Sequence, residues 1–133
     1  MHNKAKIIGI SMKKGLQGLT ALAGLLMLLG GLAFVFSPAI MEPYFSVRAI
    51  QSHGMGTLRG DLGGAFLSLA AFTLYGSRPG NAKWLAVPVV FLCAILFGRM
   101  VHVVLDGLTQ DAIRSIVIEL VGLVLLERAR RTL

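Results

Sequence analysis

This sequence predicts an all-α fold, an integral-membrane bundle of four up-and-down helices, and three observations predict it. The first is composition: of 133 residues, 56% are hydrophobic and only 14% charged, with a mean hydropathy of +0.78. A soluble domain carries about 25% charged residues. So short and apolar a chain has too little polar surface to cover itself in water, and it reads as one domain. The second is a fourfold recurrence of apolar runs about long enough to cross a hydrocarbon core at 1.5 Å per residue. The third is the placing of its basic residues at the ends of those runs.

The first run is Leu16–Phe36, closed by Ser37-Pro38. Lysines ahead of an apolar stretch resemble a secretory signal. This stretch is longer than a usual signal core, so it reads as a retained span. From Pro38 to about Gly54 the chain has few charges, and its Tyr44 and Phe45 suit a connector at a membrane surface, partly helical. The second span is expected from about Met55 to Tyr75. Gly76 to Lys83, containing Arg78-Pro79-Gly80-Asn81, has the composition of a turn. The third span runs from Trp84, an interfacial anchor, to about Leu105. Its Pro88 falls near the first turn, where a missing N–H matters least. After a short turn over Asp106–Asp111, the fourth runs from about Ala112 to residues 126–127 and ends in a charged tail, Glu127-Arg128-Ala129-Arg130-Arg131.

The net charge of +7 is concentrated in Lys4, Lys6, Lys13 and Lys14, in Arg78 and Lys83, and in Arg128, Arg130 and Arg131. The connector between the first two spans holds only Arg48. By the positive-inside rule both termini are cytoplasmic. This distribution fits topology and headgroup contact, and no nucleic-acid partner is expected. A single cysteine, Cys93, excludes an internal disulfide and a cysteine metal site; it reads as a small packing residue. Gly56, Gly60, Gly64 and Ser68 recur every four residues, a small-residue stripe suited to close helix packing. Its expected partner is a sister helix of the same chain, with a homodimer seam as the alternative.

The candidate site is a layer of charge. Arg59 and Asp61 fall roughly 6–9 Å below the outer end of the second span, Arg99 about 12 Å and His102 about 7 Å below that of the third. Asp106 is near the surface, Arg114 is shallow, and Glu119 lies about 12 Å deep in the fourth. Ionisable groups in hydrocarbon are costly and normally face a bundle interior or a wet cavity. Arg99, His102 and Asp106 share one helical stripe at i, i+3 and i+7. Glu119 is level with Arg99, so these two are expected to pair, while Asp61 could bridge Arg59 or Arg99. The six charges balance, three against three. They would serve either as a network clipping helices together or as the lining of a polar, ligand-accessible cavity.

Asp61 and Glu119 are the candidate catalytic residues. A desolvated carboxyl to move a proton, beside an arginine-held carboxylate, is what acid–base work on an apolar substrate wants, as in hydration, isomerisation or cyclisation. Whether the chain is an enzyme stays open. His53 and His102 as a haem bracket, or His102, Asp106 and Glu119 as a metal site, are conceivable by ligand type only. No cofactor or metal is expected.

The blocks Gly56-Thr57-Leu58-Arg59-Gly60-Asp61-Leu62-Gly63-Gly64, Gly98-Arg99 with Asp106-Gly107, and Glu119-Leu120 resemble a family of small bacterial four-span membrane proteins catalogued as a domain of unknown function. The resemblance covers the chain from about Gly24 onward. That family commonly reads small-Thr-x-Arg-Ala-Asp-x-Gly-Gly in the second span, from which Gly60 departs, and His102 is not part of its pattern. The resemblance implies a multi-pass protein of the bacterial cytoplasmic membrane and singles out Arg59, Asp61, Arg99, Asp106 and Glu119. It implies no activity. Three functions follow as expectations: a charged pocket near the outer face that binds a small apolar or lipid-like ligand; a membrane enzyme using Asp61 and Glu119; or an assembly subunit. Expected partners are membrane lipids, such a ligand, and a second copy or another membrane protein.

Overall fold

The computed structural model describes the backbone of residues 2–133 and the side chains of residues 9–133, so the side chains of Lys4 and Lys6 lie outside the described residues. Every described element is helical. Helix α1 is His2–Phe36, α2 Pro38–Phe45 and α3 Gln51–Thr57. A π-helical segment, Leu58–Gly63, then leads into α4, Gly64–Gly76. A 3₁₀ turn at Ala82–Leu85 starts α5, Ala86–Asp106, and α6 is Gln110–Thr132.

Two stretches, Gly9–Phe36 and Ala82–Asp106, are long and apolar enough to cross a membrane. Only 22% and 11% of their most apolar windows are buried within the chain. The core helix of a soluble protein would be mostly buried, so these two leave their apolar surface to their surroundings. The second expected span is helical over Gln51–Gly76 but broken by the π-segment. The fourth is continuous and runs on through its charged tail to Thr132.

The ends follow local chemistry. Ser37 stops α1, its N–H donating to Ala33 O at 2.8 Å, and Pro38 opens α2, where no intrahelical N–H is needed. Ser46 and Gln51, both at positive φ (52° and 59°), bracket the link from α2 to α3. The Glu42 carboxylate holds that link by accepting the Ala49 N–H at 2.9 Å. The connector is thereby a folded cap: Phe45 packs on Phe34 (centroids 4.9 Å) and Phe66 (5.6 Å), with Phe34 and Phe66 5.7 Å apart. Gly107, at φ 95°, ends α5 in a conformation that favours glycine. Thr109 caps α6 by accepting the Ala112 N–H at 3.2 Å.

The most extensive interface joins α1 to α4. It is a glycine–leucine zipper in antiparallel register. Cβ atoms built at Gly24 and Gly31 would sit 2.8 Å from the side chains of Leu74 and Leu67, and 3.1 and 2.9 Å from their backbone nitrogens. At the far end the roles reverse, and a Cβ at Gly63 would meet Val35 at 2.8 Å. Fully buried Thr73 points its hydroxyl at Met27 Sδ, 3.6 Å away. The stripe Gly56, Gly60, Gly64 does not pack on a sister helix as expected, because a Cβ at any of the three would meet nothing within 4 Å. Ser68 is exposed. The physical reason is the π-segment, whose wider i→i+5 turn shifts the phase of the helix and delivers Gly63 to α1 instead.

The α5–α6 pair joins this zipper at one end, called inner here because it carries both termini and the Ser77–Asn81 turn. Leu85, Leu92, Leu126 and Ala129 form the buried cluster, with Leu16, Met27, Val89, Leu123 and Leu133 packed against it. Toward the outer end cover is lost: none of residues 93–111 or 113–125 is buried. Cys93, expected as a packing residue, is exposed there.

Candidate functional site

The uncovered outer half of α5 and α6 holds one ion pair between helices. Arg99 donates from both Nε and Nη2 to Glu119 Oε1, each at 3.2 Å. The positions are level because a link of three residues, Gly107–Thr109, returns the chain antiparallel at the same depth. The two side chains differ in setting, Arg99 being 37% exposed and Glu119 only 14%. Both guanidinium donors go to one oxygen. The other, Oε2, is buried without a hydrogen-bond partner, which in a low-dielectric setting is a standing cost of about 1–3 kcal/mol.

The remaining charges form separate local arrangements. On α5, His102 Nδ1 stands 2.8 Å from Asp106 Oδ2, one turn along the same helix, with side chains 42% and 65% exposed. On α6, Arg114 pairs with Asp111 at 3.5 Å on an open surface. Asp111 was not among the expected members; its spacing from Arg114, i to i+3, carried the signal. Arg59 and Asp61, in the π-segment, are exposed, and among the described residues neither makes an ion pair or a side-chain hydrogen bond.

The expected single layer is therefore not assembled. Of its members only Arg99 and Glu119 meet across helices, and Asp61 bridges neither Arg59 nor Arg99. The candidate catalytic carboxylates Asp61 and Glu119 occupy different surroundings, one exposed and one held by Arg99. Helical rise orders residues along an axis, but it does not fix the direction in which each side chain leaves its helix. His102 and Asp106 gain no third metal-type ligand among the described residues.

Shallow, open apolar depressions lie elsewhere, at the inner half. One of about 240 Å³ is lined by Ala71, Phe72, Tyr75 and Trp84. The other, about 540 Å³, runs along Ala86, Val87, Val90, Phe91 and Ala94 of α5. Neither includes a charged residue.

Compared with protein-family models, with curated proteins and with solved structures, the chain matches none. The class defined by fold and site is an all-helical protein with two helices able to cross a membrane. Among the described residues it has one interhelical ion pair, and the stretch leading into α4 has a bare glycine stripe flanked by Arg59 and Asp61.

Proposed function

We propose that this chain crosses a bacterial cytoplasmic membrane four times, with both termini cytoplasmic, and acts there as an assembly subunit. Its docking surface is the bare glycine stripe Gly56, Gly60 and Gly64, flanked on either side by Arg59 and Asp61. The open apolar surfaces of α1 and α5 support the membrane reading. The basic residues at the ends of the apolar runs support the orientation.

One observation carries the assembly reading. Arg59 and Asp61 are opposite charges, exposed and unpaired among the described residues, on a stretch whose backbone is bare at Gly56, Gly60 and Gly64. Unpaired charge facing hydrocarbon is expensive, and bare glycines let another helix come close enough to supply partners. A second copy of the chain supplies both at once, since an isologous contact sets Arg59 against Asp61 and Asp61 against Arg59. The test is a photocrosslinking residue at position 57, exposed beside the glycine stripe, in native membranes, with position 121, exposed on α6, as the control. An adduct of twice the chain mass at position 57 alone is the expected result. An adduct of another mass assigns the face to a different subunit, and no protein adduct at all sinks the assembly reading.

A second reading rests on Glu119. Its buried Oε2 lacks a donor, and a small ligand carrying an N–H or O–H could provide one beside Arg99. Glu119→Gln would then abolish retention of a molecule that co-purifies with the wild type. Equal emptiness of both proteins in native mass spectrometry removes this reading.

A further inference from the structure

The inner end carries a built arrangement that neither the ion pair nor the docking face uses. Phe72 and Tyr75 of α4 face Trp84 of the following 3₁₀ turn. Phe72 stacks on Trp84 with ring centroids 5.9 Å apart, and Tyr75 meets it edge-on at 6.1 Å. These three rings with Ala71 line a shallow, open depression of about 240 Å³, the aromatic cleft. Two cations are held over the same rings: the Arg78 guanidinium lies 5.9 Å from the Tyr75 centroid, and Lys83 Nζ lies 5.8 Å from that of Trp84. Both residues are exposed, and among the described residues neither has a carboxylate partner. Next along the chain, the α5 stripe Ala86, Val87, Val90, Phe91 and Ala94 gives a larger, open apolar furrow along one helix, the α5 groove.

We propose that this is a binding site for an anionic phospholipid, its phosphate between Arg78 and Lys83 and an acyl chain along the aromatic cleft and the α5 groove. The inference rests on the chain being membrane-integral and is independent of the assembly face. The chemistry of the two parts divides the work. An acyl chain leaving the bilayer for an apolar groove gains little, because the bilayer interior is as apolar as the groove. Selectivity therefore comes from the headgroup, where two basic residues without internal counter-ions favour a net negative lipid over a zwitterionic one. The cation–ring contacts hold both cations close to the cleft and lower the entropy lost when a phosphate arrives. Basic residues between helices on the cytoplasmic side are suited to such headgroups.

Trp84 is the only tryptophan in the chain and is 39% exposed, so its fluorescence reads the cleft directly. The full chain is reconstituted in phosphatidylcholine vesicles containing a small fraction of phosphatidylglycerol with brominated acyl chains, or of equally brominated phosphatidylcholine. Bromine quenches the indole only in contact range. The expected result is half-maximal quenching at a roughly ten- to thirtyfold lower mole fraction of the anionic lipid, the preference that two basic residues give at a membrane surface. The Arg78→Gln/Lys83→Gln variant loses that preference, while Arg78→Lys/Lys83→Arg keeps it. Equal quenching by both lipids, or an undiminished preference in the glutamine variant, overturns the site. Competition by inorganic phosphate at millimolar concentration overturns the lipid assignment in favour of a free phosphate. Flotation of the vesicles is the separate readout: a chain that fails to float overturns the membrane reading itself, and one that floats without lipid preference overturns only the site.

Discussion

The α1–α4 and α5–α6 helix pairs are assembled by opposite means. Along α1 and α4, glycines remove side chains so that leucines of the opposite helix reach the backbone, from Gly24–Leu74 at one end to Val35–Gly63 at the other. The α5–α6 pair has no such zipper. It is buried at the inner end through Leu85, Leu92 and Leu126, and its outer half keeps one charged contact between the two helices, Arg99–Glu119. Close packing is intolerant of an added atom but indifferent to charge. A charged contact is the reverse, and that difference can be broken at will.

The largest effect is expected at Gly31. Gly31→Leu forces a side chain against the Leu67 backbone, and overpacking of this kind costs about 1–3 kcal/mol or more. Thermal unfolding in mild detergent should show it as a clear drop in midpoint. An unchanged midpoint would mean that α1 and α4 are not in this register. Next comes Glu119. Breaking a buried ion pair costs about 3–5 kcal/mol. Here Arg99 is more than a third exposed, so solvent screening reduces Glu119→Leu to about 1–2 kcal/mol. Restoring neutrality with Arg99→Leu in the same chain should recover most of the loss, since two apolar residues satisfy each other where one stranded charge cannot. A double-mutant cycle with no coupling would remove the pair from the stability of the outer half. Gly60→Leu should leave the unfolding midpoint within about 0.5 kcal/mol, as for a surface change, while abolishing the crosslinked species proposed above. Smallest of all, Arg114→Ala should cost only about 0.3–0.5 kcal/mol, the worth of an exposed pair one turn apart.

What was legible in the sequence follows the same division. The apolar runs 16–36 and 84–105 located α1 and α5, since hydropathy along a chain needs no partner to be read. The Arg99–Glu119 contact was also visible, because a short link fixes two neighbouring helices at equal depth. Three things were hidden. The π-segment over Leu58–Gly63 is not announced by any local composition. The four-residue spacing of Gly56, Gly60 and Gly64 suggested packing, but the widened turn takes that stripe away from α1. The Gly24 and Gly31 pair, seven residues apart, was present all along, yet it acquires meaning only against Leu67 and Leu74. Depth along a helix can be computed from rise per residue; the direction around its axis depends on neighbours. For that reason the expected company of Arg59 and Asp61 is not found: neither meets Arg99 or Glu119.

The glycine–leucine register also dictates an order of assembly. The α5–α6 hairpin closes across three residues, Gly107–Thr109, so its contacts cost little chain entropy and can form as soon as both helices exist. The α1–α4 zipper spans the whole connector. Its cheapest contact is the one nearest that connector, Val35 with Gly63, next to the Phe34–Phe45–Phe66 rings. Each later contact, Gly31 with Leu67 and then Gly24 with Leu74, would close a longer loop if it formed first. Zippering should therefore begin at the aromatic cap and run toward the termini, which makes the three phenylalanines the starting knot of the slower half of the molecule.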